Sequence, residues 1–240
     1  MTVFLDEIKI EPRSKEIERE ITHKWDLLDK PQKSLGNVEK MVAKYGAMLG
    51  TVFPNALKPA MLLMCGDHGI AKYGVSAYPP EVTIQMINGY MRGTAGANVM
   101  ARHANTDLFV VDVGVNADLS HLKAVRNEKV AWGTEDFTKG PAMTKEQAIK
   151  GLQAGIKVAD ECIDKGYNLL VTAEMGIGNT TSTAAIASAM LKLEPELTVG
   201  RGTGINDERM QIKRRVVAEG LAANKPVSND ALDVLCKLGG

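Results

Sequence analysis

Three separated stretches constrain the fold of this 240-residue chain more than anything else in it: Met61-Leu62-Leu63-Met64, Leu108-Phe109-Val110-Val111-Asp112-Val113-Gly114, and residues 168–173. Each is close to continuously apolar rather than alternating, as expected of a parallel strand covered on both faces. Each gives way to small and polar residues, and helical periodicity fills the intervals. Strands alternating with helices predict an α/β chain with a mostly parallel, doubly wound (Rossmann-like) sheet. Ligands of such sheets sit outside the carboxyl ends of the strands. The loops after Met64, Val113 and Ala173 are therefore predicted to converge on one edge.

The chain before the first strand reads differently. Residues 14–28 form a charged amphipathic pattern, Pro31 interrupts, and Ser34 is placed to cap a second helix with apolar positions at Leu35, Val38, Met41, Val42, Tyr45 and Met48. Residues 1–55 are thus expected to be a small helical appendage and residues 56–240 the α/β domain. Within the latter, helices are predicted at 81–91 and 95–103, and Val130-Ala131-Trp132 is a candidate short strand. Thr144 with Gln147 makes a capping box for a helix whose stripe is Ala148, Leu152, Ile156, Ala159 and Ile163, ending at Gly166. A helix of small residues follows at 180–193, another at 206–223, and Ser228 is placed to cap a last one ending near Lys237.

Composition excludes several function classes. Lys+Arg and Asp+Glu number 29 each, so the balance favours neither a nucleic-acid nor an anionic-membrane partner. The longest apolar runs are too short to span a bilayer, and residues 1–19 lack the apolar core of a signal peptide, which predicts a cytoplasmic protein. Cys65, Cys162 and Cys236 are odd in number and widely spaced, so neither disulfides nor a zinc site is expected. Cys162 falls on an apolar helix face, and packing is favoured over nucleophilic chemistry for Cys65. With histidines only at 23, 68, 103 and 121, no metal site is expected.

The most suggestive local signal is Glu174-Met175-Gly176-Ile177-Gly178-Asn179-Thr180-Thr181-Ser182, between the third strand and a helix. Gly176 and Gly178 let backbone approach a ligand closely. The hydroxyls of Thr180, Thr181 and Ser182, together with a helix N-terminus, suit a phosphate. A carboxylate would repel phosphate, so Glu174 fits ribose hydroxyls one sugar-length away. The alternative is an ordinary strand-to-helix turn capped by Thr. The segment matches neither G-x-G-x-x-G nor a Walker loop. Gly200-Arg201-Gly202-Thr203-Gly204 is either a flexible lid or a second anion contact. Lys213 lies in the next helix, where an inward lysine would neutralise phosphate; Arg214 and Arg215 beside it favour a solvated face instead. Asp67 and His68 follow the first strand; such a pair would orient a base or bind a metal, which no second histidine at ligand-like spacing supports, or else His68 hydrogen-bonds within the loop. Tyr78, in Gly74-Val75-Ser76-Ala77-Tyr78-Pro79, either walls a site for a flat ring or packs on Pro79, and Gln85 lies about one turn into the next helix.

Leu28-Asp29-Lys30-Pro31-Gln32-Lys33-Ser34-Leu35-Gly36, Asp67-His68-Gly69-Ile70-Ala71, Gly74 to Pro79, Glu174 to Thr181 and Gly200 to Gly204 occur in this order. The set resembles the nicotinate-nucleotide–dimethylbenzimidazole phosphoribosyltransferases of cobalamin synthesis, from about residue 16 onward. That resemblance implies transfer of 5-phosphoribosyl from nicotinate mononucleotide to a benzimidazole-type base, no cofactor, and a homodimer. It implies that Glu174, Gly176, Gly178, Asn179, Thr180 and Thr181 hold ribose and phosphate, with Gly202 and Lys213 near the phosphate. It also implies that Ser76, Tyr78 and Gln85 lie beside the base, with Asp67 and His68 supporting the loop. The family's proton-abstracting glutamate falls in a C-terminal part expected beyond Gly240, so the chain is expected to be C-terminally incomplete. A non-catalytic nucleotide-binding homologue or fragment is the alternative.

Overall fold

A computed structural model describes residues 9–240; the first eight residues, part of the charged stretch 1–19, lie outside the described residues. The chain divides between Leu57 and Lys58 into two compact units. In the first, α1 (Lys15–Asp26) is capped by Ser14, whose hydroxyl accepts from the Ile17 N–H, and α2 (Asn37–Leu49) follows. The helices meet through Ile21 and the small residues Ala43, Gly46 and Ala47. A Cβ on Gly46 would stand 2.3 Å from Ile21 Cδ1, which shows how close the helices come. Two expectations are corrected here. Ser34 does not cap α2: the chain turns through Pro31–Gly36, Gly36 is the N-cap, and no side chain caps that end. Leu35, Val38, Met41 and Met48 are exposed, because the small residues form the packing face.

The second unit carries a four-stranded parallel sheet of order β3-β2-β1-β4. Its strands are β1 (Pro59–Gly66), β2 (Asp107–Gly114), β3 (Arg126–Asn127) and β4 (Leu169–Met175). Central β1 pairs along its length with β2 and with β4. Alternate residues face opposite layers. Leu63 and Cys65 pack with Ile87 and Tyr90 of α3 (Val82–Arg92), and α4 (Gly96–His103) also contacts β2. Leu62 packs with Val158 and Cys162 of α5 (Lys145–Asp164) on the other face. Helices on both faces of a parallel sheet make the fold doubly wound.

α5 starts at the expected capping box: Thr144 Oγ1 accepts from the Gln147 N–H and Gln147 Oε1 from the Thr144 N–H, a motif typically contributing about 1 kcal/mol. Its inward face runs through Ala148, Ala154, Val158 and Cys162, whereas Ile163 is exposed. The short third strand lies at Arg126–Asn127 rather than 130–132, although the N–H groups of Glu128 and Val130 still donate to Asp112 and Val113 of β2.

After β4 come α6 (Asn179–Leu191), the one-turn α7 (Pro195–Thr198), α8 (Asp207–Asn224) and α9 (Ala231–Leu238). They enclose a separate core of Ala184, Ala185, Val216, Val217, Val234 and Phe137. The cap of α9 is Asp230, which accepts from the N–H groups of Leu232 and Asp233, and not Ser228. Asp230 sits one residue before the helix, where its short carboxylate reaches both free donors. No helix among the described residues is long and apolar enough to cross a membrane.

Candidate functional site

The β1, β2 and β4 loops do converge. The order β3-β2-β1-β4 puts chain reversal between β1 and β4, and a crevice opens at their carboxyl ends. Asp67, just beyond β1, accepts the Asn116 N–H from the β2 loop at 2.8 Å. Its other carboxylate oxygen is buried without a partner among the described residues. It borders an apolar cavity of about 240 Å³ toward α5 and a polar one of about 290 Å³ toward α3.

His68 is buried and joins β1 to the β4 turn. Its Nδ1 lies 3.1 Å from Ser182 Oγ on α6 and its Nε2 3.4 Å from Glu174 Oε1 at the end of β4. Glu174 Oε2 accepts from the Asn179 side-chain amide, and Asn179 Oδ1 accepts from the Thr180 N–H. Glu174 thus stands half exposed at the mouth, held on both carboxylate oxygens. The 3-10 turn Gly69–Tyr73 that follows His68 is fixed in turn. Tyr73 Oη and Lys72 Nζ both bond Asp136. Burial opposes the Asp136 charge, but hydrogen bonds from Thr138, Tyr73 and Lys72 prevail and hold its pKa down at about 2.

The glycines of the turn are sterically required. A Cβ on Gly176 would lie 2.0 Å from the Gly66 carbonyl oxygen, and Gly178 has φ +100 with Ile70 and His68 against it. The Ile177 N–H donates to the fully buried Thr83 Oγ1, tying the turn to α3.

The three hydroxyls that follow have different fates. Ser182 is engaged by His68, and Thr181 Oγ1 is buried without a partner among the described residues. Only Thr180 faces the lysine, accepting from Lys213 Nζ at 2.7 Å. Lys213 itself is 1% exposed. Its second bond is to the Gly200 carbonyl oxygen at 3.1 Å, and Gly202 lies directly against it. Among the described residues no carboxylate pairs with it, and burial alone pushes its pKa down. The solvated reading of this lysine is therefore corrected: α8 turns it inward, whereas Arg215 two residues on is exposed and pairs with Glu219. The Gly200–Gly204 loop is held onto this lysine rather than hanging free.

The other loop is more open. Tyr78 is 54% exposed and Gln85 is exposed. Ser76 is buried and its hydroxyl is already engaged, lying 3.0 Å from Thr203 Oγ1 and accepting from the Tyr78 N–H. Arg209 donates to the Ser76 carbonyl oxygen. Sequence reasoning misses Thr203 and Arg209 as members of this cluster. Thr203 lies inside the second glycine-rich loop, and Arg209 stands four residues before Lys213, one turn away on the same helix face. Gly240 also reaches the site, since a Cβ there would lie 2.4 Å from the His68 ring. Cys65, buried beneath, has its thiol pushed up to about 12 by burial and is no thiolate nucleophile. No group of three His, Cys, Asp or Glu side chains among the described residues is placed to hold a metal ion.

Comparison with known proteins agrees with this architecture. A family model described as phosphoribosyltransferase matches residues 10–240. The nicotinate-nucleotide–dimethylbenzimidazole phosphoribosyltransferase of Geotalea uraniireducens is 43% identical over 232 residues, covering 97% of this chain and 66% of that protein. Its counterpart from Geobacter sulfurreducens is also 43% identical, covering 100% of this chain and 68% of the relative. The crystal structure of CobT from Thermus thermophilus superposes with a TM-score of 0.88 at 39% identity, over 94% of this chain and 67% of that one. The chain thus spans about two thirds of the length of the relatives it matches. On the strength of the family match and these identities, the chain belongs to the phosphoribosyltransferase family of nicotinate-nucleotide–dimethylbenzimidazole phosphoribosyltransferases.

Proposed function

We propose that this chain holds the nucleotide half of an enzyme that moves 5-phosphoribosyl from nicotinate mononucleotide to 5,6-dimethylbenzimidazole or a similar base. The observation that carries this reading is Lys213: a buried cation without a carboxylate partner among the described residues, bonded to Thr180 beside the Gly176–Thr181 turn. An unpaired buried charge is costly unless a ligand neutralises it, and a phosphate oxygen does so. Thr180 and the Gly202 backbone complete the anion end. Glu174 and Asn179, a few ångströms along the same turn, take the ribose hydroxyls. Tyr78 and Gln85 flank the aromatic acceptor.

The nicotinate ring nitrogen is cationic while joined to ribose and departs neutral. Attack from the opposite face inverts the anomeric carbon through an oxocarbenium-like state. Glu174 then serves twice, orienting the sugar and steadying positive charge on its ring. The proton of the incoming azole goes to a general base, which the family resemblance assigns to a glutamate in the part of the relatives that this chain does not span. The working form is proposed as a cytoplasmic homodimer, a reading supported by the family resemblance, with sedimentation as its test.

The test incubates the protein with nicotinate mononucleotide and dimethylbenzimidazole and follows nicotinate release chromatographically, alongside calorimetry with nicotinate mononucleotide. Release of nicotinate that depends on the acceptor supports the reading. Binding without release reduces it to a nucleotide-binding module, and absence of binding overturns it.

A further inference from the structure

α8 presents two cations to the same side, one turn apart, and they hold different loops. Lys213 Nζ donates to the Gly200 carbonyl oxygen, and Arg209 donates to the Ser76 carbonyl oxygen. Between those loops stands one side chain. Thr203 Oγ1 accepts the Ala77 N–H at 2.8 Å and lies 3.0 Å from Ser76 Oγ. Ser76 Oγ in turn accepts the Tyr78 N–H at 3.2 Å. The neighbouring Gly202 has no slack: its φ is +52, and a Cβ there would lie 3.2 Å from Lys213 Nζ and 2.8 Å from Thr180 Oγ1. An unbroken path of short contacts therefore runs from the lysine ammonium, through the Gly200–Gly204 backbone, to the backbone of Tyr78.

From this path we propose that Thr203 is a positioning residue that couples the two ends of the site, so that an anion at Lys213 and Thr180 tightens binding of the aromatic acceptor at the Ser76–Tyr78 loop. The inference rests on the functional reading above and adds an interaction between its two subsites. Lys213 gives two of its three N–H groups to Thr180 and Gly200. A phosphate oxygen that takes the third, or displaces one of the two, pulls the ammonium and with it the carbonyl that anchors the loop. Thr203 passes that shift to the Ala77 N–H and the Ser76 hydroxyl, which set the backbone carrying Tyr78. Such a coupling is reciprocal: the aromatic ligand must raise anion affinity by the same factor.

The experiment measures benzimidazole binding by calorimetry with and without saturating inorganic phosphate, in the wild-type chain, Thr203→Val and Thr203→Ser. Benzimidazole and inorganic phosphate cannot react with each other, so turnover does not interfere. Valine keeps the shape of threonine and removes the hydroxyl. The Arg209 bond to Ser76 remains, which keeps the loop attached. In the wild type, phosphate is expected to raise benzimidazole affinity about 5-fold or more. In Thr203→Val each ligand still binds alone and that enhancement falls to near 1-fold, while Thr203→Ser restores it. Both ligands binding the wild type independently, or undiminished coupling in Thr203→Val, overturns the role of Thr203 and leaves the functional reading standing. Failure of phosphate to bind the wild type overturns both, and a companion titration of phosphate alone identifies that case.

Discussion

The two ends of the candidate site are built in opposite ways. Around Gly176, Gly178 and Lys213 there is no room for a methyl group, with the Gly66 carbonyl against Gly176 and side chains against Gly178 and Gly202, and Glu174, Asn179 and Lys213 already have internal partners. Around Tyr78 and Gln85 the side chains are exposed, and order rests on a few hydrogen bonds through Ser76 and Thr203. A phosphate is small, invariant and strongly charged, so a rigid cradle selects it without loss. A flat apolar ring gains mainly by burial, and an open loop lets it choose its own depth. Under the proposed function, the difference assigns affinity to the rigid end and acceptor choice to the open one.

The largest expected effect strikes the rigid end. Gly176→Ala drives a Cβ into the Gly66 carbonyl oxygen, and backbone cannot rotate away as a side chain would. Chemical denaturation should show a loss of about 3 kcal/mol or more; a loss under about 1 kcal/mol would mean that the turn is looser than described. Next comes Lys213→Met, which removes a buried charge and keeps most of the stem's packing. Nicotinate mononucleotide affinity should fall about 100-fold, as for loss of a charge-assisted bond. The melting temperature should hold or rise, because the charge is desolvated in the free protein. A fall in both together would make Lys213 structural rather than anion-binding.

Glu174→Gln keeps the amide contact of Asn179 while removing the charge. Turnover should fall by about 10- to 100-fold with an unchanged denaturation midpoint, and an unaltered rate would remove the ribose role. The depressed pKa of Lys213 gives a subtler test. Anion binding requires the charged form, so phosphate affinity should decline with rising pH earlier than an ordinary lysine near pH 10.4 would dictate. The unliganded fold behaves the other way. Between the folded and unfolded pKa values the unfolded chain binds more protons, so stability contributed at this position rises with pH. Lys213→Met should flatten both profiles. The smallest effect belongs to Tyr78→Ala at the open end: about a 3- to 10-fold rise in acceptor KM, nucleotide affinity unchanged, and stability within about 0.5 kcal/mol of wild type.

How much of this is readable from sequence follows the same division. Continuous apolar runs specify buried parallel strands whatever surrounds them, so β1, β2 and β4 and the convergence of their loops can be foreseen. The Thr144–Gln147 box is local chemistry and is equally legible. What fails depends on packing at a distance. The stripe Leu35, Val38, Met41 and Met48 has correct helical spacing, yet small residues form the contact between α1 and α2. Lys213 sits among arginines, and only the placement of α8 over α6 decides which of them turns inward. Ser76 looks available to a ligand because nothing local reveals Thr203, 127 positions away.

The strand order has a further physical consequence. β1 is bonded on both sides, whereas among the described residues no strand pairs with the outer edge of β4. Amide protons should therefore exchange with solvent deuterium most slowly in β1 and faster along β4, with the steepest contrast between two neighbouring strands. The strand that carries Glu174 is thus the more yielding of the two that flank the crevice. Ligand occupancy should be recorded first as slowed exchange at its tip.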